Sequence, residues 1–183
     1  MKTLDLILQR WRIRKARRFI PRGGQVLDIG SADGALFKAL ESHIGGGLGI
    51  DPTLKEPVLA GKTRIVPGFF PKDMPEVADF DAITMLAVLE HIPESEYGAL
   101  RQGCLRFLRP GGRLIITVPS PLVDHILKAL KALRLIDGMS LEEHHGYQVE
   151  QTAGIFPPPS FRLLCRKHFQ LGLNNLFVFE RGK

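Results

Sequence analysis

Apolar runs bounded by glycine, proline and acidic residues recur along this chain: QVLDI at 25–29, GLGI at 47–50, TRIV at 63–66, FDAITML at 80–86 and RLIITV at 113–118. Their alternation with helix-length segments is the strongest constraint on the fold. Strands separated by helices need crossover connections, which make the sheet parallel and cover both its faces, so each strand reads as a continuous apolar run. GALFKALESH places Leu36, Phe37 and Leu40 on one helical face. SEYGALRQGCLRFLRPGG does the same with Tyr97, Leu100, Cys104, Leu105 and Leu108 before a proline and glycine stop. Residues 52–61 contain Pro52 and Pro57, so any helix there is stunted. The closing segment FRLLCRKHFQLGLNNLFVFER reads as two strands joined by a turn around Gly172 to Asn175, an antiparallel hairpin.

A length of 183 residues with 44% apolar content suits one domain, 1–183. No run reaches the roughly 20 apolar residues of a membrane span. Asp5 and Arg10 also interrupt the N-terminal apolar stretch before a secretory core can form, so a cytoplasmic protein is expected. Cys104 and Cys165 stand apart from any partner at metal or redox spacing, and no metal site is expected. The net charge of +6 is concentrated in Arg10, Arg12, Arg14, Lys15, Arg17, Arg18 and Arg22, with no acid among residues 10–22. A basic helix over 1–20 would turn Trp11, Ile13, Phe19 and Ile20 inward. Such a charge run is most often a solvated face, and it also suits weak association with an anionic membrane surface. A further helix over 121–135 would separate Leu122, Ile126, Leu130 and Leu133 from His125, Lys128, Lys131 and Arg134.

The stretch VLDIGSADGALF, residues 26–37, carries a strand through a glycine turn into a helix. That geometry aims backbone N–H groups and the positive end of a helix dipole at one spot beyond the sheet, where an anionic group fits. Gly30 and Gly34 let the backbone approach a ligand closely, and Asp51, ending the next strand, can accept hydrogen bonds from both hydroxyls of a ribose. Turn and acid together suggest a nucleoside with an anionic tail.

Across nearly its whole length, through VLDIGSADG, GLGID, FDAITMLAVLEHIPE and LRPGGRLIITVPSP, the chain resembles the class I S-adenosylmethionine-dependent methyltransferases in their small-molecule branch. The resemblance implies an α/β fold: a Rossmann-like, doubly wound, mostly parallel seven-stranded sheet with a C-terminal antiparallel hairpin. It implies S-adenosyl-L-methionine as cofactor and S-adenosyl-L-homocysteine as product. In this family the first turn wraps the methionine end of the cofactor, a role that would fall to Gly30 with Asp28, Ser31, Ala32 and Gly34. Asp51 would hold the ribose, and Pro52, Gly68 and Phe69 would border the adenine. Met85, Leu86 and Ala87 would lie along the methionine, with His91 shaping the same site. Two departures stand out: Ala32 replaces a usual glycine, and Phe69 and Phe70 occupy the place of an acid often found beside the adenine.

Methyl transfer from a sulfonium is an in-line displacement, so the protein mainly aligns the acceptor and excludes water. If a base acts, EEHHGY offers His144 and His145 within residues 119–148, which would form a lid over the acceptor. The expected acceptor is a small molecule or a glycan- or lipid-linked compound. An NAD(P)-binding oxidoreductase is the nearest alternative, disfavoured because the three-glycine fingerprint is absent. A nucleic-acid-binding protein using Arg10 to Arg22 is the other, disfavoured because MLAVLE stands where base-modifying enzymes carry Asn or Asp followed by two prolines.

Overall fold

The computed structural model describes residues 3–75, 79–120 and 147–183, with only the backbone of Thr3 and Leu4. One eight-stranded sheet organises them. Its strands are β1 (Gln25–Ile29), β2 (Gly46–Asp51), β3 (Val58–Ala60), β4 (Thr63–Pro67), β5 (Phe80–Leu86), β6 (Leu108–Pro119), β7 (Phe161–Phe169) and β8 (Asn174–Arg181). They lie in the order β3-β4-β2-β1-β5-β6-β8-β7. The run β4-β2-β1-β5-β6 is parallel, and β8 pairs antiparallel with both β6 and β7. The closing hairpin therefore forms as expected. The chain winds outward from β1 in one direction through β2 and β4, and in the other through β5 and β6, so a crevice opens where β1 and β5 diverge.

The strand count exceeds the expected seven by one. Pro52 and Pro57 exclude a helix from residues 52–61, and Val58–Ala60 instead turns back at Gly61 (φ +58°) to pair antiparallel with β4. This edge strand is exposed throughout.

Helices α1 (Thr3–Ala16), α2 (Ala35–Leu40) and α3 (Tyr97–Phe107) cover the sheet. Period-two alternation divides the strands between two cores. Leu27, Ile29, Ile83, Met85, Leu114, Ile116, Phe177 and Phe179 pack on the α3 side with Leu100, Cys104 and Phe107. Val26, Ala82, Ile115, Leu176 and Val178 pack on the other side with Ile13 and Ala16 of α1 and with Leu36, Phe37 and Leu40 of α2. Ile20 is buried and Phe19 packs against that second core as expected, but Trp11 stays 39% exposed on the outer side of α1. The helix predicted over 121–135 lies outside the described residues.

Candidate functional site

β1 delivers the chain to the crevice, and three left-handed residues then turn it: Gly30 (φ +74°), Ala32 (φ +38°) and Gly34 (φ +67°). A side chain at Gly30 would run into Val88, whose Cγ2 lies 2.4 Å from the place of a Cβ. At position 32 alanine itself adopts the left-handed conformation, which costs about 1–2 kcal/mol for a residue with a Cβ. The amide of Ala32 shows what holds it there, donating to Asp51 Oδ2 at 2.7 Å.

Three more amides of the turn are also spent internally. Gly30 N–H donates to the Ile50 carbonyl at 2.9 Å, Ser31 N–H to the same oxygen at 3.4 Å, and Gly34 N–H to the Ser31 carbonyl at 2.7 Å. Helix α2 is six residues long, too short for a strong dipole. Among the described residues the N–H groups of Asp33, Leu36 and Phe37 meet no acceptor, so the expected place for an anionic group narrows to the start of α2. Among the described residues no hydrogen bond engages the carbonyl oxygens of Gly30 and Ala32, and Asp33 and Asp51 place negative charge beside the turn. An arrangement of open acceptors and acids suits a cation.

Asp28 lies in β1 beneath the turn, 4% exposed, and accepts a hydrogen bond from Thr84 Oγ1 of β5 at 2.6 Å. Burial pushes its carboxyl up to about 7; Thr84 opposes the rise, and the charges of Asp51 and Asp33 add to it. Asp51 is buried at the end of β2, and its Oδ1 accepts from both the N–H and the hydroxyl of Thr53. A carboxylate offers about four lone-pair positions, so three protein donors leave it little free capacity. Ser31 is buried as well, under the strand β2 at Gly49.

The remaining predicted residues that the structure describes lie at or just beyond the ends of β2, β4 and β5. Pro52 is exposed immediately after Asp51. Gly68 N–H donates to the Asp51 carbonyl at 3.2 Å, drawing the end of β4 against β2. Phe69 is 63% exposed, with its N–H bonded to Asp73 Oδ2 at 2.8 Å. Ala87 takes φ +61° and donates to the Thr117 carbonyl at 2.9 Å, while Leu86 and His91 are half-buried. Met85 differs, because its side chain is wholly buried in the α3-side core and leaves only backbone to face the crevice. His144 and His145 lie outside the described residues, as does most of the 119–148 lid.

Other residues belong to this region that their isolated positions in the sequence did not reveal. Thr84 faces Asp28 across the β1–β5 register, a pairing that only strand alignment exposes. Thr53 could have been found from its spacing two residues beyond Asp51. Arg12 of α1 is half-buried, and desolvation lowers its guanidinium pKa while the charges of Glu90 and Asp5 oppose that. Glu90 is itself 3% exposed, in the turn that follows β5. Tyr147 lies within electrostatic reach of Glu90 and Tyr97; burial raises its hydroxyl pKa, against the hydrogen bond it makes with Thr152.

The methyltransferase-domain family is matched across residues 5–166. The chain belongs to the class I S-adenosylmethionine-dependent methyltransferases. This methyltransferase is 26% identical over 155 residues to the ubiquinone biosynthesis O-methyltransferase of Paracidovorax citrulli, an alignment covering 79% of the chain and 62% of that relative. The chain thus spans less than two thirds of the relative's length. Its fold is shared with N-methyltransferase NodS from Bradyrhizobium japonicum WM9, at a TM-score of 0.69 and 15% identity over 96% of this chain and 97% of that one. It is also shared with the 1,6-didemethyltoxoflavin-N1-methyltransferase of Burkholderia thailandensis, solved with 1,6-didemethyltoxoflavin and S-adenosylhomocysteine, at 0.69 and 18% identity over 98% and 82%. Membership of the family sets the nicotinamide alternative aside.

Proposed function

We propose that this chain transfers the methyl group of S-adenosylmethionine to a small-molecule acceptor, and that a lipid-linked hydroxyl compound is the first candidate. The observation that carries the reading is the buried Asp51 beside a glycine turn with open carbonyls and surrounding acids. A sulfonium nucleoside with an ammonium group fits that set: the carbonyls of Gly30 and Ala32 would hold the ammonium, and Asp51 would hold a ribose hydroxyl. For Asp51 to accept from both ribose hydroxyls, the Thr53 hydroxyl must turn away, which a rotor on an exposed loop can do. The matched relative's role in ubiquinone biosynthesis supports a hydroxylated, apolar acceptor.

The bound cofactor supplies the reactive methyl group. The chain's own residues position and shield it. Val88, packed against Gly30, would close the crevice floor, with Leu86 at the end of β5 and Ala87 just after it along its border. Phe69, exposed at the end of β4, would stack on the adenine in place of a hydrogen-bonding acid. An acceptor ionised at neutral pH needs no base; a neutral hydroxyl would draw on His144 or His145.

Calorimetry with S-adenosylhomocysteine and NAD tests the cofactor assignment. Binding of the sulfur nucleoside alone is expected, and Asp51→Ala should weaken it by about 10- to 100-fold, the loss of charged hydrogen bonds worth roughly 1.5–3 kcal/mol. NAD binding without the sulfur nucleoside would overturn the reading. Transfer of a labelled methyl group to a panel of phenols, with and without an isoprenoid tail, tests the acceptor class.

A further inference from the structure

Helix α1 has two unlike sides. Inward, Ile13 and Ala16 enter the core, Arg12 lies near Glu90, and Gln9 donates to Asp33 of the glycine turn at 3.3 Å. Outward, Leu6, Ile7, Arg10, Trp11 and Arg14 follow one another at helical spacing and are exposed, with Ile7 at 50%. Arg17 and Arg18 continue the exposed basic run into the 3₁₀ turn after the helix. Among the described residues none of Arg10, Arg14, Arg17 and Arg18 takes part in an ion pair. Asp5 is the one acid of α1, and its charge acts on the inward Arg12. The β7–β8 turn is fastened to this helix by Gln170, whose side-chain amide donates to the Leu8 carbonyl at 3.1 Å. The next residue, Leu171, is 98% exposed beside it.

We propose that this face docks on an anionic lipid bilayer, with the arginines on headgroup phosphates, Trp11 at headgroup depth, and Leu6, Ile7 and Leu171 in the acyl boundary. Charge complementarity selects an anionic partner, since among the described residues Arg10, Arg14, Arg17 and Arg18 enter no ion pair. The aliphatic side chains select a bilayer over a nucleic acid. A phosphate backbone would take the arginines and could stack on Trp11, but it gives Ile7 and Leu171 nothing, whereas an interface buries both. Because Gln9 touches Asp33, docking would hold the candidate cofactor site within about one helix diameter, roughly 10 Å, of the membrane. This surface stands independently of the cofactor reading, and the two are measured separately.

Trp11 is the chain's one tryptophan, so its emission reports on this face alone. With vesicles of phosphatidylcholine containing one quarter phosphatidylglycerol, at about 50 mM salt, we expect a blue shift and co-sedimentation. Both should weaken at about 300 mM salt and be absent with phosphatidylcholine alone. Arg10→Glu with Arg14→Glu should lower partitioning at least about tenfold, and Ile7→Ser with Leu171→Ser should shrink the blue shift. All four positions are exposed, so melting temperature and S-adenosylhomocysteine affinity should hold. No emission shift at low salt, or full binding by the charge-reversed variant, would overturn the proposal. So would binding to single-stranded polyuridine without binding to vesicles, which would assign the face to nucleic acid.

Discussion

Asp28 carries a carboxyl held where a charge is disfavoured, under the glycine turn with Thr84 as its hydrogen-bond donor and Asp51 and Asp33 nearby. The folded protein keeps the proton up to about 7, whereas an unfolded chain releases it near an ordinary carboxyl pKa of about 4. Between those values the folded state binds more protons, so the contribution of Asp28 to stability falls as pH rises from about 4 to about 7 and is level above. Asp28→Asn retains an acceptor for Thr84 without the charge. Urea unfolding of both proteins at acidic, neutral and alkaline pH should show the variant gaining relative to the parent as pH rises, with the largest gain above 7. A constant difference would mean that Asp28 does not titrate there. Ala32 offers a second check at this scale. Replacing it with glycine removes the left-handed cost of about 1–2 kcal/mol but adds about 0.5–1 kcal/mol of unfolded-state entropy. The melting temperature of Ala32→Gly should therefore hold or rise by a few degrees.

Helix α1 draws its place from two kinds of contact. Ile13 and Ala16 bury apolar surface against α2 and the sheet, and Arg12 brings a cation to the buried Glu90. Removing a cation whose charge reaches a buried acid leaves the acid's desolvation less compensated, a cost of about 1–3 kcal/mol. Arg12→Ala should therefore lower the melting temperature distinctly. Arg14→Ala, on the exposed face two residues away, should change stability by no more than about 0.5 kcal/mol. Thermal unfolding of the two variants side by side separates the roles of neighbouring arginines that the sequence presents as equivalents. Equal effects would show that Arg12 is not coupled to Glu90.

For the whole molecule, the sheet order decides where a ligand can sit. Because the winding direction reverses between β1 and β5, the loops after these strands diverge, and the turn at 30–34, Asp51, Gly68 and Ala87 converge on the resulting crevice. A ligand spanning several strand ends couples them, and binding to the folded state alone stabilises by about 2.7 kcal/mol at a hundredfold excess over its dissociation constant. For a chain of this size that corresponds to a rise in melting temperature of about 5–10 °C. S-adenosylhomocysteine should produce it and NAD should not. An unshifted transition with saturating sulfur nucleoside would contradict the placement of the site.

The alternation of apolar runs with helical segments determined the parallel sheet, and the closing FRLLCRKHFQLGLNNLFVFER determined the hairpin, because period and turn chemistry are local properties of the chain. The quoted motifs likewise placed Asp28, Gly30, Gly34 and Asp51 near one another. The tertiary structure alone decided how those groups are used. The amides of Gly30, Ser31, Ala32 and Gly34 are taken by Ile50, Asp51 and Ser31, since a buried N–H takes whatever acceptor its neighbours present. Met85 belongs to the core because its position in the pleat of β5 turns it toward α3. Val58–Ala60 became a strand because β4 left an unpaired edge beside it. Arg12 and Trp11, adjacent in a run of cations, went to opposite environments because α1 has one side against the protein and one against water, and only docking of the helix settles which residue faces which.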